Sequence, residues 1–426
     1  MVSGDVVTPG HPDYANSLHR WAINSEKNAA VVVFAKDAAD VSKAILFAKE
    51  NSLPIAIRCG GLVIDLSRHL NGVRVDPGKK LAYIGGGALW ETVDKEAIKH
   101  GLATVGGTVN HTGVGGLILG GGFGWLSGEY GLAIDNLVQV TLVSANGSVH
   151  VANETENSDL FFGVRGGGCN FGVVTDIRGP VIFPGSFLEK IIDFAKDWYA
   201  NIGEKEAMLM ITAAEPNGTT IPLTWGDNFE SMVVCNVFYN GSEEEGRAKY
   251  KKLYDLKPYG PSPRRHILER HCTQRSRLEP IAKAHEKVIE IVKGGKFIAN
   301  AIYEWIPLKK INSVPANKTA YRRIPTPNCL INIGWPGGTH SAEKVDEARP
   351  LARQIAVCVA GGESKLKDVK SQGYTNYDPE GVLGDKDEVK DKAALAFGDN
   401  YPLLQKIKKK YDPENVFNRW FAITPA

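Results

Sequence analysis

The spacing of apolar residues near the N-terminus predicts strands that alternate with helices. The β-branched run at 30–35 is typical of a strand. Asp37 then precedes apolar residues that recur at i, i+3, i+4 and i+7 from Val41 to Ala48, which predicts a helix with Asp37 as its N-cap. A second strand at 53–58 completes a β-α-β unit that opens an α/β layer.

Further short elements are predicted on both sides of a glycine-dense centre. Gly101 follows a predicted helix as its C′ residue, and Asn146-Gly147 suits the turn of a hairpin. These elements assign residues 1–180 to a first domain. Strands are predicted at 62–66, 73–76, 81–85, 137–144, 148–152 and 173–177, and helices at 89–100 and 158–164.

Beyond Gly179-Pro180 the pattern changes. We interpret residues 181–370 as a separate α+β domain and residues 371–426 as a distinct C-terminal segment, which includes a helix opened by Pro402 and stopped before Pro413. In the second domain, β-rich segments are predicted at 207–213, 231–238 and 328–335, and helices at 186–200, 243–254 and 341–359.

The composition excludes several classes of function. A net charge of +2 on 426 residues gives no electrostatic case for binding nucleic acid or a membrane. The six cysteines include no C-x-x-C pair, so we expect reduced thiols and no metal site. The N-terminus has no apolar leader segment, which favours a cytoplasmic protein, although a removed leader would leave the same sequence. The oligomeric state stays open.

The stretch 106–136, GGTVNHTGVGGLILGGGFGWLSGEYGLAIDN, is dense in glycine. Each glycine inside a helix costs about 1 kcal/mol relative to alanine, so a plain helix is poorly encoded here. Such a run suits either successive turns with positive φ or a main chain that lies flat against a large ligand such as a phosphate or a flavin. A glycine-rich loop without a ligand is the alternative. The G-x-G-x-x-G fingerprint is absent, which excludes an ordinary Rossmann cradle.

Four separated segments carry a resemblance to one family. The order and spacing of these four segments resemble those of the vanillyl-alcohol-oxidase superfamily of FAD-linked oxidoreductases, in the branch of berberine-bridge-enzyme-like and 6-hydroxynicotine-oxidase-like proteins. The resemblance covers nearly the whole chain. It implies an α+β fold with a two-subdomain PCMH-type FAD-binding module, an α+β substrate domain with an antiparallel sheet, and a C-terminal segment that returns to the FAD module. The segments are RCGG (58–61), the glycine-dense stretch (106–136), RGGGCNFGVVT (165–175) and GYTNYDPE with YDPENVF (373–417).

FAD is the cofactor that this resemblance implies. Two phosphates and a wide planar ring favour exposed amides and apolar walls over charge pairs, which agrees with the glycine content. Thr112 also aligns near the position that governs access of oxygen to the flavin in related enzymes. The resemblance assigns FAD contacts to Arg58, Gly60, Gly61, Gly106, Gly107, Thr108, Thr112, Gly113, Gly115, Gly116, Gly121, Gly122, Asp135, Gly172, Val174 and Asn376.

The sequence departs from the family pattern after Gly61. There the family has a loop of about a dozen residues with a histidine that bonds covalently to the flavin, whereas here Leu62 follows at once. Val109 stands where some members carry a second attachment cysteine, and His69 is no substitute on spacing. Two interpretations stay open: a true deletion, which would weaken or abolish FAD binding, or residues missing from this sequence. A second shortening follows Ile177.

The motif GYTNYDP supplies the candidate base. The resemblance implies a phenol in this role, and a phenol with a pKa of about 10 must be assisted by cations or by a second tyrosine. Alternation along a strand would place Tyr374 and Asn376 on one face and Tyr377 on the other. We therefore expect Tyr374 as the catalytic base, Asn376 as a polar contact and Tyr377 as a weaker second candidate. The alternative is a tyrosine pair that only packs a domain junction.

The substrate side is less defined by the sequence. Trp335 and Arg322 are candidate substrate contacts in a stretch that resembles the family, although aromatic residues on a central strand more often belong to a core. The leading interpretation is an FAD-dependent oxidase or dehydrogenase. It transfers a hydride from a small alcohol, amine or sugar-like molecule to flavin N5, with O2 as the expected electron acceptor. The alternatives are a flavoprotein-fold cyclase of secondary metabolism and a flavin-free binding protein.

Overall fold

The fold was analysed in a computed structural model of the whole chain. Its described residues divide into two compact units. The first comprises Met1–Pro184, Lys310–Arg323 and Asp391–Ala426, and the second comprises Gly185–Lys309 and Ile324–Lys390. The predicted boundaries at 180 and 370 stay predictions. The structure describes residues 2–19, 26, 28–56, 61–180, 202–204, 206–213, 224–225, 232–239, 242–251, 275–323, 327–337, 341–362, 374, 376–377 and 392–426.

The described elements mix helices and strands along the whole chain. The strands are β1 (Asp5–Val7), β2 (Ala29–Phe34), β3 (Ile55–Ala56), β4 (Gly61–Asp65), β5 (Val73–Asp76), β6 (Leu81–Gly85), β7 (Gln139–Val143), β8 (Val149–Asn153), β9 (Val173–Pro180), β10 (Glu206–Ala213), β11 (Thr224–Trp225), β12 (Met232–Tyr239), β13 (Ile298–Trp305) and β14 (Asn328–Gly334). The helices are α1 (Tyr14–Leu18), α2 (Ala38–Glu50), α3 (Trp90–Ile98), α4 (Val114–Leu119), α5 (Ser127–Tyr130), α6 (Ser158–Val164), α7 (Glu243–Lys249), α8 (Arg275–Lys293), α9 (Leu308–Ser313), α10 (Ala342–Ala360), α11 (Lys392–Phe397) and α12 (Tyr401–Tyr411).

The first unit begins with a four-stranded sheet in the order β1-β2-β4-β3. Strand β3, which follows α2 within the predicted range 53–58, pairs parallel with β4, and β4 pairs parallel with β2. The strands of the predicted β-α-β unit, β2 and β3, are therefore parallel, with β4 lying between them in the sheet. The Asp37 side chain accepts a hydrogen bond from Asp40 N and caps α2 as predicted. The apolar stripe of α2 then packs its Ile45 against Val33 and Ile64 of the sheet.

A second sheet of the first unit has the order β5-β6-β9-β7-β8, and all of its neighbouring strands are antiparallel. The turn between β7 and β8 contains Gly147 at φ +80°, a value that suits glycine in the predicted Asn-Gly hairpin. Strand β6 leads into α3, whose Trp90 is buried. This helix and the glycine-dense residues that follow it form the candidate cofactor surface of the first unit.

The C-terminal residues are tied to the first unit by a buried lysine. Lys408 of α12 is fully buried, and its Nζ donates to Asn170 O at 2.7 Å, to Phe417 O at 2.6 Å and to Asp412 Oδ2 at 2.6 Å. Burial lowers the pKa of Lys408. Phe417 itself joins the core formed by α2 and the first sheet. The YDPENVF motif therefore serves as an internal attachment of the chain end.

The second unit is built on one antiparallel sheet in the order β11-β12-β10-β13-β14. Helices α8 and α10 cover one face, where Val288 and Ile355 pack with Ala301 of β13. The sequence analysis did not predict α8 or β13, and the predicted helix at 186–200 lies outside the described residues. Among the helices that the structure describes, none combines the length and apolarity that crossing a bilayer requires.

Candidate active site

The glycine-dense segment lies against the buried indole of Trp90. A Cβ on Gly106 would lie 2.7 Å from Trp90 Cε3, and a Cβ on Gly107 would lie 2.7 Å from Leu117 Cδ1. Bare main chain is therefore needed here for contact with the layer beneath. The indole Nε1 of Trp90 is buried and has no hydrogen-bond partner among the described residues.

The main-chain N–H groups of 107–111 are free within the part of the chain that the structure describes. None of them donates to another described residue, whereas Thr112 N donates to Val109 O at 3.2 Å and Val114 N donates to Ala88 O at 2.9 Å. Half-exposed Thr108 and exposed Val109 lie within this segment. Consecutive unpaired amides of this kind are hydrogen-bond donors for an anionic or carbonyl-rich ligand.

Two further glycines present open main chain next to these amides. A Cβ on Gly113 or on Gly116 would meet no atom within 4 Å. Leu89, which bridges to Gly113, is 38% exposed and supplies an apolar wall. Half-exposed Thr112 precedes Gly113. Free amides, bare glycines and an apolar wall together fit a planar group that carries phosphates, as FAD does.

Other predicted FAD contacts pack against the chain itself. A Cβ on Gly61 would lie 2.0 Å from Pro54 O, and a Cβ on Gly172 would lie 2.3 Å from Val143 O. Close packing is a sufficient reason for glycine at both positions, and their assignment to FAD stays a prediction. The same holds for Gly115 against Gly86 O, for Gly121 and Gly122 beneath residues 133–134, and for buried Val174. Arg58 and Gly60 lie outside the described residues.

The carboxylate of Asp135 is held by an internal ion pair, and its assignment to FAD stays a prediction. Arg323 donates through Nη2 to Asp135 Oδ1 at 2.6 Å and through Nη1 to Oδ2 at 2.9 Å, and the two side chains are only 6% and 10% exposed. Leu132 N donates to the same carboxylate at 2.8 Å. Asp135 therefore orders the chain after the glycine-dense segment. Arg322, the predicted substrate contact, is half-buried beside Gly398 in the same unit.

In the second unit, Tyr374 and Tyr377 lie in a turn and not in the predicted strand. Tyr377 N donates to Tyr374 O at 2.9 Å, and the two rings meet edge to face with centroids 4.9 Å apart. The predicted separation of the two phenols onto opposite faces was therefore wrong, since an i to i+3 hydrogen bond folds the chain back on itself. Asn376 Nδ2 donates to Tyr374 Oη at 2.7 Å.

A buried carboxyl group stands beside this tyrosine pair. Tyr377 Oη donates to Glu304 Oε1 at 2.6 Å, and Asn328 Nδ2 donates to Glu304 Oε2 at 3.2 Å. Glu304 and Asn328 are cross-strand partners on β13 and β14, and each is 4% exposed. Asn328 Oδ1 is buried without a hydrogen-bond partner among the described residues.

Burial and charge shift the protonation equilibria of this cluster in one direction. Burial raises the pKa of Glu304, and the hydrogen bonds from Tyr377 and Asn328 oppose the shift only in part. Burial and the neighbouring carboxylate raise the pKa of Tyr377 well above its ordinary value. The pKa of the neighbouring Cys329 thiol rises to about 12 for the same reasons. The cluster therefore resists net loss of protons, while a proton can pass between Tyr377 and Glu304 along a short hydrogen bond.

Glu304 is a candidate site residue that the sequence pattern did not predict. It stands in the run IANAIYEW of β13, where every other residue from Ala299 to Tyr303 faces the core beneath the helices. A single acidic residue in such an apolar run was the available signal. Trp335, predicted as a substrate contact, packs edge to face with Phe297 in that helix-covered core, so its placement is corrected to the opposite face of the sheet from Glu304.

Comparison with known proteins gives consistent matches along the chain. Residues 29–153 match a family model described as FAD binding domain, and residues 373–423 match one described as berberine and berberine like. A relative from Aspergillus terreus, FAD-linked oxidoreductase pgmH, is 30% identical over 97% of this chain and 92% of its own length. The fold is similar to that of 6-hydroxy-D-nicotine oxidase from Arthrobacter nicotinovorans, with a TM-score of 0.77 at 22% identity over 100% and 99% of the two chains. It is also similar to that of xylooligosaccharide oxidase from Myceliophthora thermophila C1, with a TM-score of 0.76 at 20% identity over 99% and 97%.

Proposed function

This chain belongs to the FAD-linked oxidoreductases with a berberine-like C-terminal segment, and from that membership we propose that it oxidises a small alcohol, amine or sugar-like molecule. FAD supplies the two-electron acceptor when it is bound. The chain itself must hold that group and must take up the proton that leaves the substrate oxygen or nitrogen. O2 is the proposed final electron acceptor.

The holding role falls to the segment that presents bare main chain. The free N–H groups of 107–111 and the open surfaces of Gly113 and Gly116 support hydrogen bonding to FAD without the help of charged side chains. Leu89 adds an apolar wall. We propose that the shortened loop after Gly61 is a true deletion that removes the usual covalent anchor, and that these contacts hold FAD reversibly.

The proton role is best supported by one observation, the 2.6 Å hydrogen bond from Tyr377 Oη to buried Glu304. We propose that Tyr377 Oη accepts the substrate proton while its own proton moves to Glu304 Oε1. The carboxylate becomes a neutral acid, the form that its buried surroundings favour, and the phenol never carries a net charge. Tyr374, the base favoured by the sequence, has an oxygen that already accepts from Asn376, and we propose that it supports the ring of Tyr377.

Anaerobic reduction of the flavin tests this assignment. 6-Hydroxy-D-nicotine and xylobiose, each named with a structural relative, are the first probes, and hydrogen peroxide release under air tests the use of O2. Tyr377→Phe should slow flavin reduction by about 10²-fold or more while the visible flavin band is retained. Tyr374→Phe is the matched control with the same lost hydroxyl. If it slows reduction as much while Tyr377→Phe does not, the base is Tyr374 and our assignment is wrong.

A further inference from the structure

We propose that the face of the second unit's sheet that carries Glu304 binds a substrate with polar groups at both ends and an apolar middle. This inference rests on the proposed function, because it uses the Tyr377–Glu304 pair as the reacting end. It narrows the three substrate classes considered above to elongated, ring-containing molecules that are oxygenated at both ends, and it disfavours oligosaccharides.

The register of β13 and β14 defines three cross-strand pairs on this face. Glu304 opposes Asn328, Ile302 opposes Leu330, and Asn300 opposes Asn332. Because side chains alternate along a strand, these pairs point away from the core that α8 and α10 cover, which takes Ala299, Ala301 and Tyr303 from β13. The face therefore has a polar pair, an apolar pair and a second polar pair in sequence along the strands.

The three cross-strand pairs differ in how far their side chains are exposed to solvent, and the difference suits a bound molecule. Glu304 and Asn328 are buried, whereas Ile302, Leu330, Asn300 and Asn332 are all half-exposed. A ligand that covers the half-exposed apolar side chains between the two polar pairs gains about 25 cal/mol of binding free energy for each Å² of apolar surface that it removes from water. The apolar pair thus favours a ring or hydrocarbon over a chain of hydroxyl groups.

The polar ends offer unused hydrogen-bonding capacity. Asn328 Oδ1 is buried and unpartnered among the described residues, so a substrate N–H or O–H beside Glu304 would satisfy it. At the other end Asn332 Nδ2 donates to Asn300 Oδ1 at 2.9 Å. This bond fixes both amides and leaves Asn332 Oδ1 and Asn300 Nδ2 as a neighbouring acceptor and donor, an arrangement that suits a hydroxyl or carbonyl group.

The spacing sets the size of the molecule. Glu304 and Asn300 are four residues apart on one strand, so at about 3.3 Å per residue the two polar pairs are separated by roughly 13 Å. Two joined or fused six-membered rings with an oxygen at each end fill such a distance, whereas a single sugar or pyridine ring does not.

Calorimetric titration of the oxidised holoenzyme without oxygen tests this inference. The probes are 4,4′-biphenol, which has a hydroxyl at each end, 4-phenylphenol, which lacks one, and xylobiose. We expect 4,4′-biphenol to bind about tenfold more tightly than 4-phenylphenol, the value of one well-made hydrogen bond, and xylobiose to bind more weakly than either. Equal binding of the two phenols, or tighter binding of xylobiose, would overturn the proposal.

Variants on the same face locate the effect. Asn332→Ala and Asn300→Ala should each reduce the preference for 4,4′-biphenol to about twofold or less and leave 4-phenylphenol unchanged. Ile302→Asn should weaken both phenols by a similar factor. Gln354→Ala, which removes an exposed amide from α10, is the matched control and should change nothing. Equal weakening of both phenols in Asn332→Ala would contradict the assignment of the far end. These binding measurements do not depend on turnover. If Tyr377 is not the acceptor of the substrate proton, only the flavin-reduction experiment would show it, because reduction would then not require Tyr377.

Discussion

The candidate site of the first unit and that of the second unit use different parts of the polypeptide. In the first unit, residues 107–116 present main-chain amides and bare glycines, and no charged side chain of this segment is needed. In the second unit, Glu304, Asn328 and Tyr377 act through side chains that strand pairing and a turn bring together. A surface made from main chain suits a cofactor that must be held, whereas side chains with shifted pKa values suit a proton that must move.

Buried carboxylates show the same contrast. Burial of Asp40 in the first unit raises its pKa, but hydrogen bonds from Ser3 N, Ser3 Oγ, Lys36 N and Gly4 N outweigh burial and lower the pKa of Asp40 to about 2. Among the described residues, Glu304 receives only side-chain donors, and burial raises its pKa. Three main-chain amides and one hydroxyl therefore stabilise the charged form of Asp40, while the second unit keeps a carboxyl group ready to accept a proton.

The largest expected effect concerns whether Glu304 and Tyr377 act as one unit. Glu304→Gln and Tyr377→Phe should each slow anaerobic flavin reduction by about 10²-fold, because either change removes the proton path. The double variant should be no slower than the slower single variant, since groups that act together lose their effect together. The measurement is stopped-flow flavin reduction on all three variants. Multiplicative losses, near 10⁴-fold in the double variant, would show that the two residues act independently.

The second effect tests the carboxylate that main-chain donors stabilise. Asp40 is fully buried, and a shift of its pKa from 3.8 to about 2 corresponds to about 2 kcal/mol of folding stability. Because the folded-state pKa is the lower one, this contribution is present above pH 3.8 and is lost as the pH falls from 3.8 towards 2. Asp40→Asn should therefore lose about 2 kcal/mol at pH 7, measured by urea unfolding, and the difference from the parent should vanish near pH 2. A loss that stays constant down to pH 2 would assign the effect to packing. Asp37→Asn, which keeps an N-cap residue on α2, is the matched control.

The third effect tests the main-chain surface directly. A Cβ on Gly113 would meet no atom within 4 Å, so we expect Gly113→Val to keep the melting temperature of the apoprotein and to weaken FAD binding by about tenfold. Gly115→Ala is the opposite case, because its Cβ would lie 2.6 Å from Gly86 O and must displace main chain. It should lower the melting temperature. FAD titration by fluorescence quenching and thermal unfolding of the apoprotein separate the two. Unchanged FAD affinity in Gly113→Val would remove this glycine from the cofactor surface.

Local features of the site could be predicted from the sequence, and contacts between distant residues could not. The capped helix α2 and the Asn-Gly hairpin depend on residues a few positions apart, so both were predicted correctly from the pattern. The glycine-dense stretch is one contiguous run, and its contact with FAD stays a prediction. The pairing of Glu304 with Asn328 depends on the register of two strands, which sequence spacing does not encode. The turn at Tyr374 was predicted as a strand, because alternating aromatic and polar residues also fit a strand.

Glycine content alone does not rank the predicted FAD contacts. Gly61 and Gly172 satisfy the same compositional pattern as Gly113, yet neighbouring main chain occupies the space that a side chain would need. Only three-dimensional packing distinguishes a glycine that makes room for a ligand from one that makes room for its own chain. In the second unit, the sequence pattern predicted Trp335 as a substrate contact, but Trp335 packs in the helix-covered core. It did not predict Glu304, a single buried acid in an apolar strand.

The smallest expected effect is the folding stability that the second unit loses by burying the ionisable carboxyl group of Glu304. An acid whose pKa is raised on folding binds more protons in the folded state than in the unfolded state, so stability falls as the pH rises above its ordinary value of 4.5. Glu304→Gln removes that penalty and keeps a carbonyl oxygen that accepts from Tyr377. We expect the variant to unfold at a temperature higher by about 2 °C at pH 7, on the order of 1 kcal/mol, although its flavin reduction is slow. The advantage should shrink as the pH of the unfolding measurement is lowered towards 4.5, because the raised pKa keeps a larger share of the carboxyl group protonated in the folded state than in the unfolded state. A variant less stable than the parent at pH 7 would mean that the ionised carboxylate is fully compensated by its neighbours. The two units would then differ in the geometry of their hydrogen-bond donors and not in the free energy of the charge.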